Sequence, residues 1–312
     1  MTGGTITVAF CADDAYAMPL GVAALSLVTN LDPMRAIEIF VVDGGISPEN
    51  RSKIHQALSG FPNLRLKWLE FSRERIAHLH GNIHLSRSAY LRIFLPEILP
   101  AGLSRVLYLD SDMVITGDVA RIWDSEFQDH PILAVQDRSR TLGRGVAHWK
   151  ELGLDPAMEC FNSGLLLMDL ENWRQSGLVG RLLEYVAKNQ SLLTLCDQDA
   201  LNAVLAGRWG SLDPSWNQQI VRKTRDSLPQ LLLSHLPGFR KLPPRPPGIL
   251  HFISDKKPWL PRCWFAERRY FSLYQRKSPW ADREITILHD AWSVAREILR
   301  RIPAILGFRK RA

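Results

Sequence analysis

No two of the four cysteines, at positions 11, 160, 196 and 263, stand close enough for a CxxC metal knuckle, and their spacing shows no disulfide framework. Reduced thiols in a cytosolic setting are the expectation. Long apolar runs are also missing: none approaches the roughly 20 residues that a membrane-spanning helix needs. The opening MTGGTITVAFCADD has no basic n-region and reaches a strand-like run by Thr5, so no secretory signal is expected. Internal repeats, low-complexity tracts and nucleic-acid recognition motifs are absent, and the composition is neither fibrous nor disordered.

The chain does have enough apolar residue, 46% of 312, to bury a sizeable core as one large α/β domain, alone or with a helical appendage. Lys and Arg number 39 against 32 Asp and Glu, giving net +7 and a pI near 9.4, which suits nucleic acid, an anionic membrane or a phosphorylated substrate. Where that charge sits decides among them.

The rest of the chain is organised around VLYLDSDMVITGDV, Val106 to Val119. An apolar run ending abruptly in Asp110-Ser111-Asp112 reads as a buried strand delivering two carboxylates to its carboxyl end, where open α/β sheets bind ligands. On an extended backbone, side chains two residues apart lie on one side. A compact, oxygen-rich, doubly anionic pair suits Mg²⁺ or Mn²⁺ bridging to a diphosphate. The Asp-x-Asp tripeptide is common by itself; the strand ahead of it supplies the weight.

The flanking chain keeps a βαβ rhythm. TITVAFCA, Thr5 to Ala12, is a short buried strand ending in Asp13-Asp14-Ala15-Tyr16, a loop placed to face a nucleotide. A helix over Leu20 to Thr29 and a strand over Ile37 to Asp43 follow. Ser47 caps a helix led by Pro48 and continuing through Arg51 to Leu58, and Leu64 to Leu69 alternates as a strand. Ser72 to Leu85 reads as a mobile loop feeding a helix at Ser88 to Leu95. A short strand from Ile132 to Val135 ends at Asp137, and Arg138 to Lys150 reads as a second loop. Cys160 to Gly164 reads as a turn entering a buried strand, LLLMDL, followed by one helix from Asn172 to Asn189. Asp197 to Ala206 opens with acidic side chains, as helix N-termini favour, and a Pro-rich linker over Leu236 to Gly248 leads to a strand at Ile249 to Ile253.

Taken in order, the Asp-Asp-x-Tyr loop, Ser88-Ala89-Tyr90-Leu91-Arg92, LYLDSDM, FNSG with its apolar run, DQDALN and the His251-Phe252 segment with Lys257-Pro258-Trp259 resemble the retaining glycosyltransferases of family 8 over Ile6 to Trp259. That family includes bacterial lipopolysaccharide and lipooligosaccharide galactosyl- and glucosyltransferases and glycogenin. The resemblance implies a GT-A fold, α/β and Rossmann-like with a mixed central sheet. It further implies a UDP-glucose or UDP-galactose donor and a Mn²⁺ ion, with Mg²⁺ as second choice.

By position, Asp110 and Asp112 match the metal-binding pair, with Ser111 between them in the donor site, and His251 matches the third protein ligand. A His joining two carboxylates is a mixed set that Mn²⁺ accepts more readily than Mg²⁺ does. Lys257 matches the diphosphate-contacting lysine, which offsets charge building on the leaving UDP, while Lys256 is expected to be solvated. Ser254 stands where the bacterial galactosyltransferase pattern has Gly near phosphate, so the local donor geometry is expected to differ. Ala12, Asp13 and Tyr16 match positions around uracil and ribose. Ala15 replaces the family's usual Asn and removes one hydrogen bond to the nucleotide.

Arg92 matches the arginine that reaches the donor sugar and neighbouring carboxylates, and Asp137, Asn162, Ser163 and Gly164 match positions around the hexose. Asp197 and Gln198 fall at the reacting face, Gln198 nearest the anomeric carbon and Asp197 holding sugar hydroxyls. An amide is a poor nucleophile, which favours same-face return assisted by the departing diphosphate oxygen; a covalent intermediate on Asp197 is the competing mechanism. Leu212 to Asn217 resembles the family's acceptor-side segment, in which Trp216 is either a platform for a sugar face or a core anchor.

Past Trp259 the resemblance thins, so the expected division is a catalytic domain over residues 1–260 and a C-terminal helical basic extension over 261–312. Ile285, Leu288, Trp292, Ala295, Leu299 and Ile302 recur at helical spacing with Arg296, Arg300 and Arg301 between them, and Gly307 to Arg311 adds a basic end. This pattern suits an anionic membrane surface, with docking on the catalytic domain as its alternative. The sequence thus reads as a metal-dependent retaining hexosyltransferase, cytoplasmic or peripheral on the inner face of the membrane, acting on a glycan or lipid-linked glycan. The alternatives are a glycogenin-like self-glucosylating enzyme and a catalytically inert module that binds nucleotide sugar or glycan.

Overall fold

Seven strands form one sheet in the order β3-β2-β1-β4-β7-β6-β8 in the computed structural model, which describes residues 4–72, 74–77, 79, 87–221, 248–261, 263, 265 and 267–283. The strands are β1 (Ile6–Ala12), β2 (Ile37–Asp43), β3 (Leu64–Glu70), β4 (Arg105–Leu109), β6 (Ile132–Thr141), β7 (Glu159–Asp169) and β8 (Gly210–Ser211). Every residue of β1 is buried, as a central strand covered on both faces requires. Its neighbours β2 and β4 run parallel to it, with Ile6 opposite Ile37 and Val8 opposite Leu107. β7 then runs antiparallel to both β4 and β6, making the sheet mixed.

Chain order reverses between β1 and β4, so their carboxyl ends, Ala12 and Leu109, open side by side onto a switch point of the sheet. The helix Ala17–Asn30 covers one face and is buried along most of its length. It is approached closely by Trp280, because a Cβ on Gly21 would lie 2.5 Å from the indole. The next helix, Pro48–Leu58, starts as its sequence dictates: Ser47 Oγ accepts from Asn50 N and Pro48 occupies the first turn.

A second sheet of three short strands, β5 (Met113–Ile115), β10 (Ile249–His251) and β9 (Gln218–Gln219), in that order, builds the site. β10 pairs antiparallel with β5, placing His251 opposite Met113, and parallel with β9, placing His251 opposite Gln219. Phe252 N donates to Asp112 O at 3.1 Å, and Ile220 N donates to His251 O at 2.7 Å. The residue next to Asp112 and the residues after Asn217 are thereby tied to one histidine.

Several expected elements take a different form. Strand β4 stops at Leu109, and Asp110 to Asp112 form a turn instead of extended backbone, because Met113 leaves the large sheet for the small one. FNSG lies inside β7, where the pairing jumps from Ala134 opposite Leu166 to Val135 opposite Asn162. This bulge frees Ser163 and Gly164 from β6 at the sheet's ligand end. Beyond Val135, β6 continues through the basic residues to Thr141, followed by a short helix, Leu142–Gly145, where a loop is expected from polarity alone.

The single helix expected over Asn172 to Asn189 is two, Leu170–Gln175 and Leu178–Asn189, parted by Gly177 at φ +60°. Within Ser72 to Leu85 there is a short helix, Glu74–Ala77, and the Ser88 segment is a 3₁₀ helix, Arg87–Phe94, before an α turn at Leu95–Ile98. The linker over Leu236 to Pro247, the stripe from Ile285 to Ile302 and the basic end lie outside the described residues. Among the described residues no helix is long and apolar enough to cross a membrane.

Candidate active site

The turn after β4 and the end of β10 bring three potential ligand atoms together. One from each of Asp110, Asp112 and His251 lies within 4.8 Å of the others. His251 Nε2 is 3.1 Å from Asp112 Oδ1 and 3.7 Å from Asp110 Oδ2. Three observations fit this cradle to a divalent cation. Asp112 Oδ1 and Ser111 Oγ are buried with no hydrogen-bond partner, so polar capacity is left open where water is excluded. A Cβ on Gly164 would stand 2.3 Å from His251 Cε1 and 2.7 Å from Asp110 Oδ2, so only glycine leaves the ligands their place. The donor set, two carboxylates and an imidazole, is one that Mn²⁺ accepts.

Lys257 Nζ donates to Asp112 Oδ2 at 2.6 Å and to Phe252 O at 2.7 Å. Burial pushes the Asp112 carboxyl up, but the Lys257 ammonium outweighs it and holds the group well below the usual carboxylate range. The ammonium is raised in turn, its burial offset by Asp112. Lys256 instead pairs with Asp255 at the surface, 3.1 Å away, as expected of a solvated lysine.

On the other side of Asp110 stands Arg92, 6% exposed. Its guanidinium lies 3.0 Å from Asp110 Oδ1 and 3.0 Å from Asp197 Oδ2, donates to Ser163 O at 2.6 Å, and covers the Tyr108 ring at 4.5 Å. Tyr108 donates its hydroxyl to Asp110 Oδ1 at 2.5 Å. Burial lowers the pKa of Arg92, yet Asp110 and Asp197 more than reverse this, so the group keeps its charge. Burial also pushes the Asp197 carboxyl up to about 6, against the pull of Arg92 and with the push of Asp110. Asp197 opens the helix Asp197–Val204 directly after Cys196, whose φ of +50° and ψ of −110° form a strained turn closed by Gln198 N donating to Leu195 O at 3.0 Å.

A ladder of amides runs from Asp137 to His251. Gln198 Nε2 donates to Asp137 Oδ2 at 3.0 Å, and Gln198 Oε1 accepts from Ser163 N at 3.0 Å and from Asn162 Nδ2 at 3.2 Å. Asn162 Oδ1 accepts from Gly164 N at 3.1 Å and from Asn217 Nδ2 at 2.8 Å. Asn217 Oδ1 lies 2.9 Å from His251 Nδ1. Gln198, expected nearest the anomeric carbon, is thus buried with its carbonyl already engaged by the FNSG bulge.

The residues expected to face the nucleotide gather at the end of β1. Asp13 Oδ2 accepts from Ser88 Oγ at 3.3 Å, and Ala12 O accepts from Gly44 N at 2.8 Å. Asp14 turns away to accept from Ser47 N and Asn50 Nδ2, both at 2.8 Å, an architectural role. Tyr16 meets Trp259 edge-on at 5.6 Å between ring centroids, and burial raises its hydroxyl pKa. Ser254 Oγ accepts from Lys256 N at 3.2 Å, closing its own loop. Trp216 is partly buried against the core, and a Cβ on Gly248 would lie 2.3 Å from its ring.

Sequence reasoning missed Tyr108, Asn217 and Asn202, which exchanges hydrogen bonds with the Phe161 main chain at 2.8 and 2.9 Å. Tyr108 was legible as a polar tip in an apolar strand. The ladder role of Asn217 follows from the two-residue strand β9, which carries no sequence signal.

Residues 7–263 match the family described as Glycosyl transferase family 8. General stress protein A of Bacillus subtilis (strain 168) is 29% identical over 273 residues, covering 86% of this chain and 93% of that protein. Lipopolysaccharide 1,2-glucosyltransferase of Escherichia coli (strain K12) is 24% identical over 285 residues, covering 90% and 80%. Glycosyltransferase GlyF of Streptococcus pneumoniae serotype 4 is 27% identical over 254 residues, and the match spans only 57% of its length. Among solved structures, galactosyltransferase LgtC in complex with donor and acceptor sugar analogs aligns with a TM-score of 0.71 at 26% identity, covering 89% of this chain and 100% of that one.

Proposed function

The chain belongs to glycosyl transferase family 8 and has the GT-A fold, and on that premise we propose that it transfers a hexose from UDP-glucose or UDP-galactose to a glycan hydroxyl, with a divalent cation and with retention. The observation that carries this reading is the convergence of Asp110, Asp112 and His251 on one point at the sheet's switch, with the Lys257 ammonium alongside. A cation there, Mn²⁺ before Mg²⁺, would offset the charge of the diphosphate and make UDP a better leaving group.

The chain's own residues divide the remaining work. Ala12, Asp13 and Tyr16 would hold the nucleoside, Ser111 and Ser254 would offer polar contacts to the donor, and Lys257 would stabilise the charge on departing UDP. Arg92 and Asp197, with Asp137, Asn162 and Ser163, would orient the hexose. As the bond from the anomeric carbon to the diphosphate oxygen breaks, the bond to the acceptor oxygen forms on the same face, and the acceptor proton passes to the departing oxygen. The 3.0 Å approach of Arg92 to Asp197 favours this route over a covalent intermediate, because a guanidinium weakens the carboxylate as a nucleophile. Mass-spectrometric trapping of a glycosyl adduct on Asp197 with a slow donor analogue would refute it.

The similarity to lipopolysaccharide 1,2-glucosyltransferase of Escherichia coli supports a lipopolysaccharide or other cell-surface glycan as acceptor. On the pattern of residues 285–311 we place the protein in the cytoplasm, on the inner face of the membrane. An inert binding module is the reading of a different class, disfavoured because a pure binder has no use for a cation cradle abutting a poised lysine.

The deciding experiment is UDP release from a panel of UDP-sugars with and without Mn²⁺, comparing wild type with Asp112→Ala. Metal-dependent turnover of one sugar, lost in the variant, is the expected result. Mn²⁺-dependent UDP binding without turnover on any donor, with or without a glycan acceptor, would favour the inert module. Absence of both binding and turnover would overturn the proposal.

A further inference from the structure

We propose that Asn217 is a positioning residue that selects the tautomer of His251, so that Nε2 faces Asp110 and Asp112 as a bare lone pair. The inference rests on reading that triad as a cation site. Two main-chain donors, whose polarity cannot be reversed, set the amide orientations.

Gly164 N donates to Asn162 Oδ1, and Ser163 N donates to Gln198 Oε1. These fix which end of each side-chain amide is oxygen, and the assignment is self-consistent, since Asn162 Nδ2 meets Gln198 Oε1 and Gln198 Nε2 meets the acceptor-only carboxylate of Asp137. Asn162 Oδ1 then requires a donor from Asn217, which leaves Asn217 Oδ1 facing His251 Nδ1 at 2.9 Å. A carbonyl oxygen only accepts, so the ring proton belongs on Nδ1.

The opposing preference lies on the other side of the ring. Asp112 Oδ1 is 3.1 Å from Nε2, close enough to take a hydrogen bond if the proton were there, and Asp110 Oδ2 is at 3.7 Å. Left alone, two carboxylates would draw the proton to Nε2, where it would occupy the cation's place. The ladder holds it away, and Asp112 Oδ1, 3.1 Å from Nε2, is left open to a cation. The second nitrogen of a metal-binding His is commonly fixed by such a partner, whose loss costs roughly 10–100-fold in metal affinity. Here the partner is reached through Gln198 and Asn162, so the sugar-side amides and the cation side share one polarity.

The test uses the full chain. Long-range ¹⁵N NMR of the metal-free protein, run over a range of pH, reads which His251 nitrogen carries the proton, and Mn²⁺ titration by calorimetry reads affinity. Wild type is expected to carry the proton on Nδ1. In Asn217→Leu it moves to Nε2 and Mn²⁺ affinity falls by roughly 10–100-fold. Asn217→Asp keeps an acceptor against Nδ1 and retains both the tautomer and most of the affinity; its behaviour decides the matter if the Leu variant does not fold. A proton on Nε2 in wild type, or an unchanged tautomer and affinity in the Leu variant, would overturn the proposal while leaving the cation site intact. Absence of Mn²⁺ binding to wild type would overturn the cation-site reading, and this inference with it.

Discussion

Asp112 and Lys257 form an ion pair of 2.6 Å in which the ammonium is also held by Phe252 O, so the carboxylate keeps its charge in a nearly dry setting. The segment carrying Lys257 follows β10, so this strand and the residues after it supply both the histidine near Asp112 Oδ1 and the lysine on Asp112 Oδ2. Replacing Lys257 by Met would leave a buried carboxylate without its strongest counter-charge. The metal-free variant is expected to lose about 3 kcal/mol in urea denaturation. Mn²⁺ should then restore more stability to the variant than it adds to wild type, because the cation becomes the remaining counter-charge. An unchanged urea midpoint would refute this account of the pair.

Asp197 offers a pH test whose sign is fixed by its environment. Its folded-state value of about 6 exceeds the 3.8 of an ordinary Asp. The folded protein therefore binds this proton more tightly than the unfolded chain does. The corresponding stability is fully present below about pH 4 and is lost as pH rises through about 6, on the order of 2–3 kcal/mol. Denaturation curves of metal-free wild type and Asp197→Asn, measured from pH 4 to 8, should differ in slope over that window and run parallel above it. Parallel curves throughout would show that Asp197 does not titrate there.

Gly164→Ala tests the cradle. The added methyl meets His251 and Asp110 closer than any real Cβ contact, at 2.3 and 2.7 Å, so the ligands must move apart. Overpacking of this kind costs about 1–3 kcal/mol, which leaves the protein folded. Mn²⁺ affinity is expected to fall at least about tenfold, on the scale seen when a ligand's surroundings are disturbed. Calorimetry and a melting curve on the same sample separate the two effects.

The charge pattern of residues 285–311 predicts salt-sensitive adsorption to anionic membranes. The intact protein should cosediment with phosphatidylglycerol-containing vesicles at low salt and be released at high salt, while a chain ending at residue 283 stays in solution. Failure of the intact protein to cosediment would remove the membrane proposal.

Much of the site could be read from the sequence because its parts sit at strand ends, where composition changes abruptly. The apolar run into Asp110-Ser111-Asp112 marks its own boundary, as does the step from Leu250 to His251. The bulge at Asn162 to Gly164 escaped because its cause is a shift of pairing between β6 and β7, and an apolar sequence on either side looks the same with or without it. The basic residues of β6, Arg138 and Arg140, resemble a loop until Asp199 is seen to take Arg140 at 3.0 Å. Asn217 was hidden for a related reason: it becomes a neighbour of His251 only through a pairing of two residues per strand.

The position of His251 also bears on the order in which the protein is made. The last strand of the large sheet ends at Ser211, and the two strands that place the histidine come from residues 218–219 and 249–251. As the amino-terminal part of a chain emerges first, a nascent chain can possess the whole seven-stranded sheet and both aspartates while still lacking the third ligand and its lysine. Cation capture would then follow the making of the sheet, since a chain that has not yet reached residue 249 lacks the histidine and the lysine.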